Sequence, residues 1–203
     1  MILNIIILTL ATTYTYNPAI LSPIAEKSIL KSYHFLSLTS FSALSTSNEV
    51  CNNSTAGVIA IAQKHGVSCD IINKAQFADE TYMLTLLSEI DVVVLAGFLW
   101  LIPPFLIHRF ENKIINIHPS LLPKYGGKGM YGVHVHNAVL TNKETETGIT
   151  IHLVNEEFDK GEILAQHPVL LTKEDTLETV QQKIAELEKA NFAKAIADFL
   201  IKK

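Results

Sequence analysis

The stretch at residues 114–132, IINIHPSLLPKYGGKGMYG, constrains the fold more than any other part of the chain. It begins with a short apolar run, which predicts a strand. Pro119 favours an extended conformation at His118, and Pro123 and the glycines after it oppose a helix immediately downstream. This pattern is typical of a strand that ends in a loop. Open α/β sheets bind ligands in the loops at the carboxyl ends of their strands.

Asn116 and His118 are two residues apart, so in a strand both side chains leave the same face of the sheet. An asparagine amide can donate hydrogen bonds to an oxygen that gains negative charge, and a histidine can exchange a proton near neutral pH. This pairing is suited to acyl transfer. A structural alternative fits the same spacing: Asn116 satisfies a backbone group at the strand end, and His118 is a half-buried spacer.

Residues 116–125 read NIHPSLLPKY, and this motif resembles the signature of the folate-dependent formyltransferases. The continuation GGKGMYG resembles the branch of that family that acts on glycinamide ribonucleotide. The resemblance covers roughly residues 52–200. It implies a single α/β domain over residues 1–203, with a Rossmann-like, mostly parallel open sheet and helices on both faces.

The resemblance also implies an activity. The formyl group of 10-formyltetrahydrofolate would pass to the amine of glycinamide ribonucleotide in purine biosynthesis. The folate is then a cosubstrate, with no tightly bound cofactor and no metal. Two alternative functions are that of a formyltetrahydrofolate deformylase, in which water is the acceptor, and that of a folate-binding member that is catalytically impaired. A tRNA formyltransferase would need a second, usually basic, domain, for which this chain has neither the length nor the charge.

The segment EEFDKGEIL, at residues 156–164, has the composition of a solvated loop. The resemblance instead aligns Asp159 with the catalytic aspartate of the family. It implies that Asn116 donates to the developing oxyanion and that His118 protonates the leaving folate nitrogen. Asp159 would orient His118 and assist proton removal. Glu188 falls where the family has a glutamate that contacts the amino substrate, although a lone glutamate on a charged helix is also explained by solvation.

The run DVVVLAG at residues 91–97 predicts a central buried strand, and an apolar cluster follows it. Such a cluster is explained by core packing or by a wall for a flat aromatic ligand. The resemblance places the folate pocket here. The implied cosubstrate-binding residues are Leu95, Phe98, Leu99, Trp100, Leu101 and Ile102. Trp100 stands where some members have arginine, so we expect it to stack or pack at the rim.

Periodicity predicts the remaining elements. Residues 4–10, NIIILTL, form a continuous run rich in β-branched residues, which indicates a buried, parallel central strand rather than a secretory signal, because no basic segment precedes them and the apolar run is short. Further strands are predicted at residues 67–72, 148–155 and 163–169, and helices at residues 56–65, 79–87, 103–110 and 133–140. Residues 172–200 are predicted to form a turn, TKED, followed by a long helix. On the strand at residues 148–155, His152 either supports the site from behind or simply packs.

Residues 9–51 depart from the family pattern. The first strand of the family leads into a loop rich in glycine and serine, whose backbone N–H groups hold a phosphate. Here the first glycine of the chain is Gly57. We hypothesise that the segment is substituted or frame-shifted, and the alternative is a lineage-specific substrate loop. The group that binds the substrate phosphate is therefore left open.

Composition restricts the partners. A net charge of -4 and a pI near 6.0 give no basic footprint for nucleic acid, and no apolar stretch is long enough to span a membrane. Cys51 and Cys69 lack metal-ligand spacing, which suits plain thiols in a reducing, cytoplasmic compartment. His134 and His136 point in different directions on a helix, so no metal site is expected. We expect small-molecule substrates and a monomer or homodimer.

Overall fold

The computed structural model describes the backbone of residues 4–10, 44–64 and 66–202, and side chains from Glu49 onward except at residue 65. The described strands form one sheet in the order β3-β2-β1-β4-β5-β6-β7. The strands are β1 (Asn4–Leu10), β2 (Leu44–Cys51), β3 (Cys69–Ile71), β4 (Val92–Ala96), β5 (Ile114–His118), β6 (Glu146–Leu153) and β7 (Ile163–Leu170). The unusual composition of residues 9–51 lies largely outside the described residues, because only its two ends are placed in the sheet.

Five of the seven described strands run in one direction: β2, β3, β4, β5 and β7. This agrees with the expected α/β sheet of mostly parallel strands. Strand β1 is an exception, because it is antiparallel to both of its neighbours, β2 and β4. The expectation of a parallel first strand is therefore wrong. An apolar run predicts a central position, but the direction of a strand depends on how the chain enters and leaves the sheet.

Six helices connect or cover the described strands: α1 (Gly57–Lys64), α2 (Lys74–Ala78), α3 (Glu80–Leu86), α4 (Pro104–Arg109), α5 (Val133–Thr141) and α6 (Leu177–Ile201). Helix α2 was not predicted. Asn73 caps its amino terminus and forms a capping box with Gln76. Asp79 then ends α2 and caps α3, where its carboxylate accepts from the backbone N–H of Tyr82. Two short helices therefore occupy a region in which the periodicity indicated one.

Two apolar clusters pack on opposite faces of the sheet, as the alternation along β4 requires. Val93 and Leu95 join helices α3 and α4 on one face. Val92 and Val94 join the long helix α6 on the other face. Helices therefore cover both faces, and the carboxyl ends of β4 and β5 emerge between the two layers. No helix in the described ranges is both long and apolar enough to span a bilayer.

Candidate active site

A cavity of about 740 Å³ opens at the carboxyl ends of the parallel strands β4 and β5. Its walls are the ends of these two strands, the glycine-rich loop at residues 127–132, the loop that carries Asp159, and one side of α6. Its volume is in the usual range for small-molecule sites, and its position is where open α/β sheets bind ligands.

Asn116, His118 and Asp159, which the motif predicted, all lie on the wall of this cavity. Nδ1 of His118 is 3.5 Å from Oδ2 of Asp159. The other carboxylate oxygen, Oδ1, is 3.6 Å from Nε2 of His152. The same Nε2 is 3.1 Å from Nδ2 of Asn116. His152 therefore contacts two of the three predicted residues, Asp159 and Asn116, so its ring lies at the site.

Asp159 is brought to His118 by an unusual backbone. Its φ is 57°, in the left-handed region that Asp and Asn tolerate better than most residues. Its Oδ2 accepts a hydrogen bond of 2.8 Å from the backbone N–H of Gly127. Two residues later, the backbone of Gly161 lies so close to the carbonyl oxygen of Leu153 that there is no room for a Cβ. The loop is thus fixed on both sides of the carboxylate.

Backbone carbonyls fix the tautomers of both histidines, since a carbonyl oxygen can only accept. Nε2 of His118 is 2.8 Å from the carbonyl oxygen of Tyr125, so Nε2 carries a hydrogen and Nδ1 faces Asp159. Nδ1 of His152 is 2.8 Å from the carbonyl oxygen of Leu153, so Nδ1 is the donor there. Nε2 of His152 is then free to accept from the amide of Asn116.

Burial and charge act on these groups in opposite directions. Burial lowers the pKa of His118 below its ordinary value, and the carboxylate of Asp159 only partly offsets this effect. Burial would raise the pKa of Asp159, but His152 and His118 in their protonated forms and the N–H of Gly127 hold that pKa below its ordinary value. Near neutral pH the site therefore contains an ionised carboxylate beside a largely neutral His118.

Only part of the predicted folate pocket lies on the cavity. Phe98 and Leu99 line it. Leu95 and Ile102 are instead buried in the apolar core, because strand alternation turns Leu95 toward α3 and α4. Leu101 is 50% exposed.

Trp100 packs against other aromatic rings rather than on the cavity wall. Its ring centroid is 5.4 Å from that of Phe77 and 5.7 Å from that of Phe98. Nζ of Lys74 lies 5.9 Å from the centroid of the Trp100 ring. Trp100 thus packs in an aromatic cluster beside Phe98, and its contact with folate at the rim of the pocket stays a prediction.

The remaining predicted positions also have definite places. Glu188 and Gln181, from α6, both line the cavity. His136 is buried on its wall, while the ring of His134 is exposed and packs against Tyr131. The two histidines therefore do not share a ligand site. Among the described residues, no group of three or more His, Cys, Asp or Glu side chains could hold a metal ion.

Sequence reasoning missed a second layer of residues behind the site. Thr150 and Gln166 hydrogen-bond to the backbone of the loop that follows β5. The alternation of side chains along β6 places Thr150 and His152 on one face of the strand. Their contacts additionally need the pairing register of β5, β6 and β7, which a single sequence does not reveal.

Comparison with known proteins supports the motif. The profile of the family described as Formyl transferase matches residues 39–196. A chloroplastic phosphoribosylglycinamide formyltransferase from Vigna unguiculata is 42% identical over 143 residues, which cover 66% of this chain and 45% of that protein. A phosphoribosylglycinamide formyltransferase from Bacillus subtilis (strain 168) is 38% identical over 128 residues, or 63% of each chain. This chain thus spans about half to two thirds of the length of these relatives.

The fold is similar as well. The crystal structure of phosphoribosylglycinamide formyltransferase from Bacillus halodurans superposes with a TM-score of 0.68 at 32% identity, covering 74% of this chain and 78% of that one. The family profile begins at residue 39, ahead of residue 52 where the resemblance in the motifs resumes, so it includes strand β2. Because the profile covers most of the chain and the site motif lies within it, this chain belongs to the formyl transferase family.

Proposed function

We propose that this protein transfers the formyl group of 10-formyltetrahydrofolate to the amine of glycinamide ribonucleotide, a step of purine biosynthesis. The observation that carries the proposal is the grouping of Asn116, His118 and Asp159 on one wall of a cavity of about 740 Å³. The names of the relatives support the choice of substrates. The chemistry needs no tightly bound cofactor, because the folate enters as a cosubstrate.

In the proposed mechanism, the amine attacks the formyl carbon and a C–N bond forms. The formyl oxygen becomes an oxyanion, which accepts a hydrogen bond from the amide of Asn116. Asp159 assists removal of the proton from the amine. Nδ1 of His118, which carries no hydrogen in the neutral ring and faces Asp159, receives that proton and passes it to the leaving folate nitrogen, because Nε2 is already bound to the carbonyl of Tyr125. The C–N bond to folate then breaks and tetrahydrofolate leaves.

The lining of the cavity suits both substrates. Phe98 and Leu99 offer an apolar wall to the flat pterin ring. Glu188 and Gln181 on α6 offer polar groups to the amino substrate. The assignment of Glu188 to that substrate follows the family position and its place on the cavity wall.

We place this activity in the cytoplasm, with small molecules as the only partners required. Cys51 and Cys69 are the two cysteines of the chain and are not joined by a disulfide, which suits a reducing compartment. The reaction needs neither nucleic acid nor a membrane, and the site is built from one chain, so a monomer or a homodimer would serve.

The test is formyl transfer by the purified chain. It is supplied with 10-formyltetrahydrofolate, with and without glycinamide ribonucleotide, and both tetrahydrofolate and formate are followed. Turnover that depends on the ribonucleotide is the expected result. Formate release without the ribonucleotide would identify a deformylase instead. Folate binding with no turnover would identify a non-catalytic member in which the altered amino-terminal segment has removed the phosphate site.

A further inference from the structure

Thr150 lies directly opposite His118 in the register of β5 and β6. It is fully buried, and its hydroxyl uses all of its hydrogen-bonding capacity. It donates to the carbonyl oxygen of Ser120 at 2.7 Å and accepts from the backbone N–H of Leu122 at 2.9 Å. A third bond of 2.9 Å comes from Nε2 of Gln166. One hydroxyl thus ties the loop after β5 to the neighbouring strand β6.

Gln166 extends this link to β7. Its Nε2 also donates to the carbonyl oxygen of Leu122 at 2.9 Å. Within the loop, the hydroxyl of Ser120 donates to the carbonyl oxygen of Lys124 at 2.6 Å. The next carbonyl along the chain, that of Tyr125, accepts from Nε2 of His118. The bonds from Thr150 and Gln166 therefore support the loop that presents this carbonyl to the catalytic ring.

We propose that Thr150 and Gln166 are positioning residues that select the tautomer of His118. They hold the loop at residues 120–125 so that the carbonyl of Tyr125 keeps the hydrogen on Nε2 and leaves Nδ1 open toward Asp159 and the cavity. The consequence for turnover rests on the proposed function, whereas the tautomer itself does not.

The local electrostatics favour the other tautomer of His118, with its hydrogen on Nδ1. With the Tyr125 carbonyl removed, a neutral His118 gains most by placing its hydrogen on Nδ1, where it can donate to the carboxylate of Asp159 in a charge-assisted bond. In that tautomer Nδ1 has no lone pair with which to take up a proton. The carbonyl of Tyr125 reverses this preference because Nε2 must be a donor to reach it.

Thr147 is the matched control on the same strand. It is buried like Thr150, at 2% exposed, but its hydroxyl has no hydrogen-bond partner among the described residues. Replacing Thr147 by valine removes a buried hydroxyl from β6 without touching the loop. Any general cost of that replacement is therefore measured separately from the positioning role.

The experiment compares Thr150→Val, Thr150→Ser, Gln166→Met and Thr147→Val in the full chain. Ring nitrogen chemical shifts of histidine labelled with ¹⁵N, recorded above the titration of His118, report the tautomer directly. In Thr150→Val and Gln166→Met we expect the hydrogen to move from Nε2 to Nδ1. We also expect kcat for formyl transfer to fall, by roughly 10- to 100-fold in Thr150→Val, with KM unchanged. Thr150→Ser and Thr147→Val should keep the wild-type tautomer and kcat.

Gln166 is exposed, so its replacement keeps the test decisive if Thr150→Val does not fold. Folded variants that retain the Nε2–H tautomer and the wild-type kcat would overturn the proposal. A wild-type protein without formyl transfer would remove the proposed function, but a change of tautomer in the variants would still support the positioning role. A loss of kcat with an unchanged tautomer would refute it.

Discussion

The side-chain amide of Asn116 and the ring of His152 face each other across β5 and β6, with Nδ2 3.1 Å from Nε2. The two residues are direct partners in the strand register. Because Nδ1 of His152 donates to the carbonyl of Leu153, its Nε2 must accept one hydrogen of the amide. The second amide hydrogen of Asn116 is left for the cavity, so a single donor is held in a fixed orientation.

Asn116→Ala should remove the oxyanion donor. Loss of one such donor costs on the order of 2.7 to 4 kcal/mol of transition-state stabilisation, so we expect kcat to fall by roughly 10²- to 10³-fold. Folate binding, measured by calorimetry, should be nearly unchanged because the donor acts mainly on the charge of the transition state. Asn155→Ala, at an exposed position after β6, is the control. Weaker folate binding with normal turnover would contradict this role.

His152→Phe should allow the amide of Asn116 to rotate. We expect a smaller loss of kcat than in Asn116→Ala, because the donor is kept but is no longer oriented. The double variant Asn116→Ala/His152→Phe should be no slower than Asn116→Ala alone, since the two residues act as one unit. The four kcat values complete the cycle. Additive losses would mean that His152 acts on catalysis independently of Asn116.

The sequence was most informative where local spacing decides the geometry. Two residues on one strand must share a face, which places Asn116 beside His118. Asp159 could be found only through the family motif, because it reaches His118 through a left-handed backbone in a loop whose composition is that of any solvated segment. The side chain of Leu95 packs in the core, because an apolar residue near a strand end packs there as readily as it lines a pocket, and its contact with folate stays a prediction.

The contacts between strands could not be predicted from the sequence. Thr150 is separated by 30 residues from Ser120, to whose carbonyl it donates, and Gln166 by 44 residues from Leu122. Only the register of the sheet brings these groups together. The direction of β1 was missed for a similar reason, because its apolar pattern is the same in a parallel and in an antiparallel pair.

The titration of His118 should reveal the charge of Asp159. Its pKa is lowered by burial and partly restored by that carboxylate. We therefore expect Asp159→Asn to lower the pKa of His118 further, which the pH dependence of its Cε1–H chemical shift would measure. Asparagine tolerates the left-handed backbone at this position, so the loop should be kept. Glu157→Gln, in the same loop and exposed, should leave the titration unchanged. A higher pKa in Asp159→Asn would show that this carboxylate does not stabilise the imidazolium.

The same lowered pKa fixes the sign of one contribution to stability. The unfolded chain protonates His118 near its ordinary value of about 6.5, whereas the folded chain takes up that proton only at lower pH. The contribution of His118 therefore favours folding above that value and is lost as the pH falls from there through the folded pKa. Denaturant unfolding at pH 7 and at pH 5 should give a smaller fall in the free energy of unfolding for His118→Gln than for the wild type.

Gly161→Ala should lower both stability and turnover. A Cβ at this position would overlap the carbonyl oxygen of Leu153, so the backbone must shift, at a cost of about 1–3 kcal/mol. Because Asp159 is two residues away, the shift should also move its carboxylate from His118 and reduce kcat. Gly66→Ala is the matched control: its φ of 68° makes alanine unfavourable, but its Cβ would meet no atom within 4 Å and it is not on the cavity wall. Thermal unfolding should show both variants destabilised, with kcat reduced only in Gly161→Ala. Equal kcat in the two variants would mean that the loop tolerates displacement of Asp159.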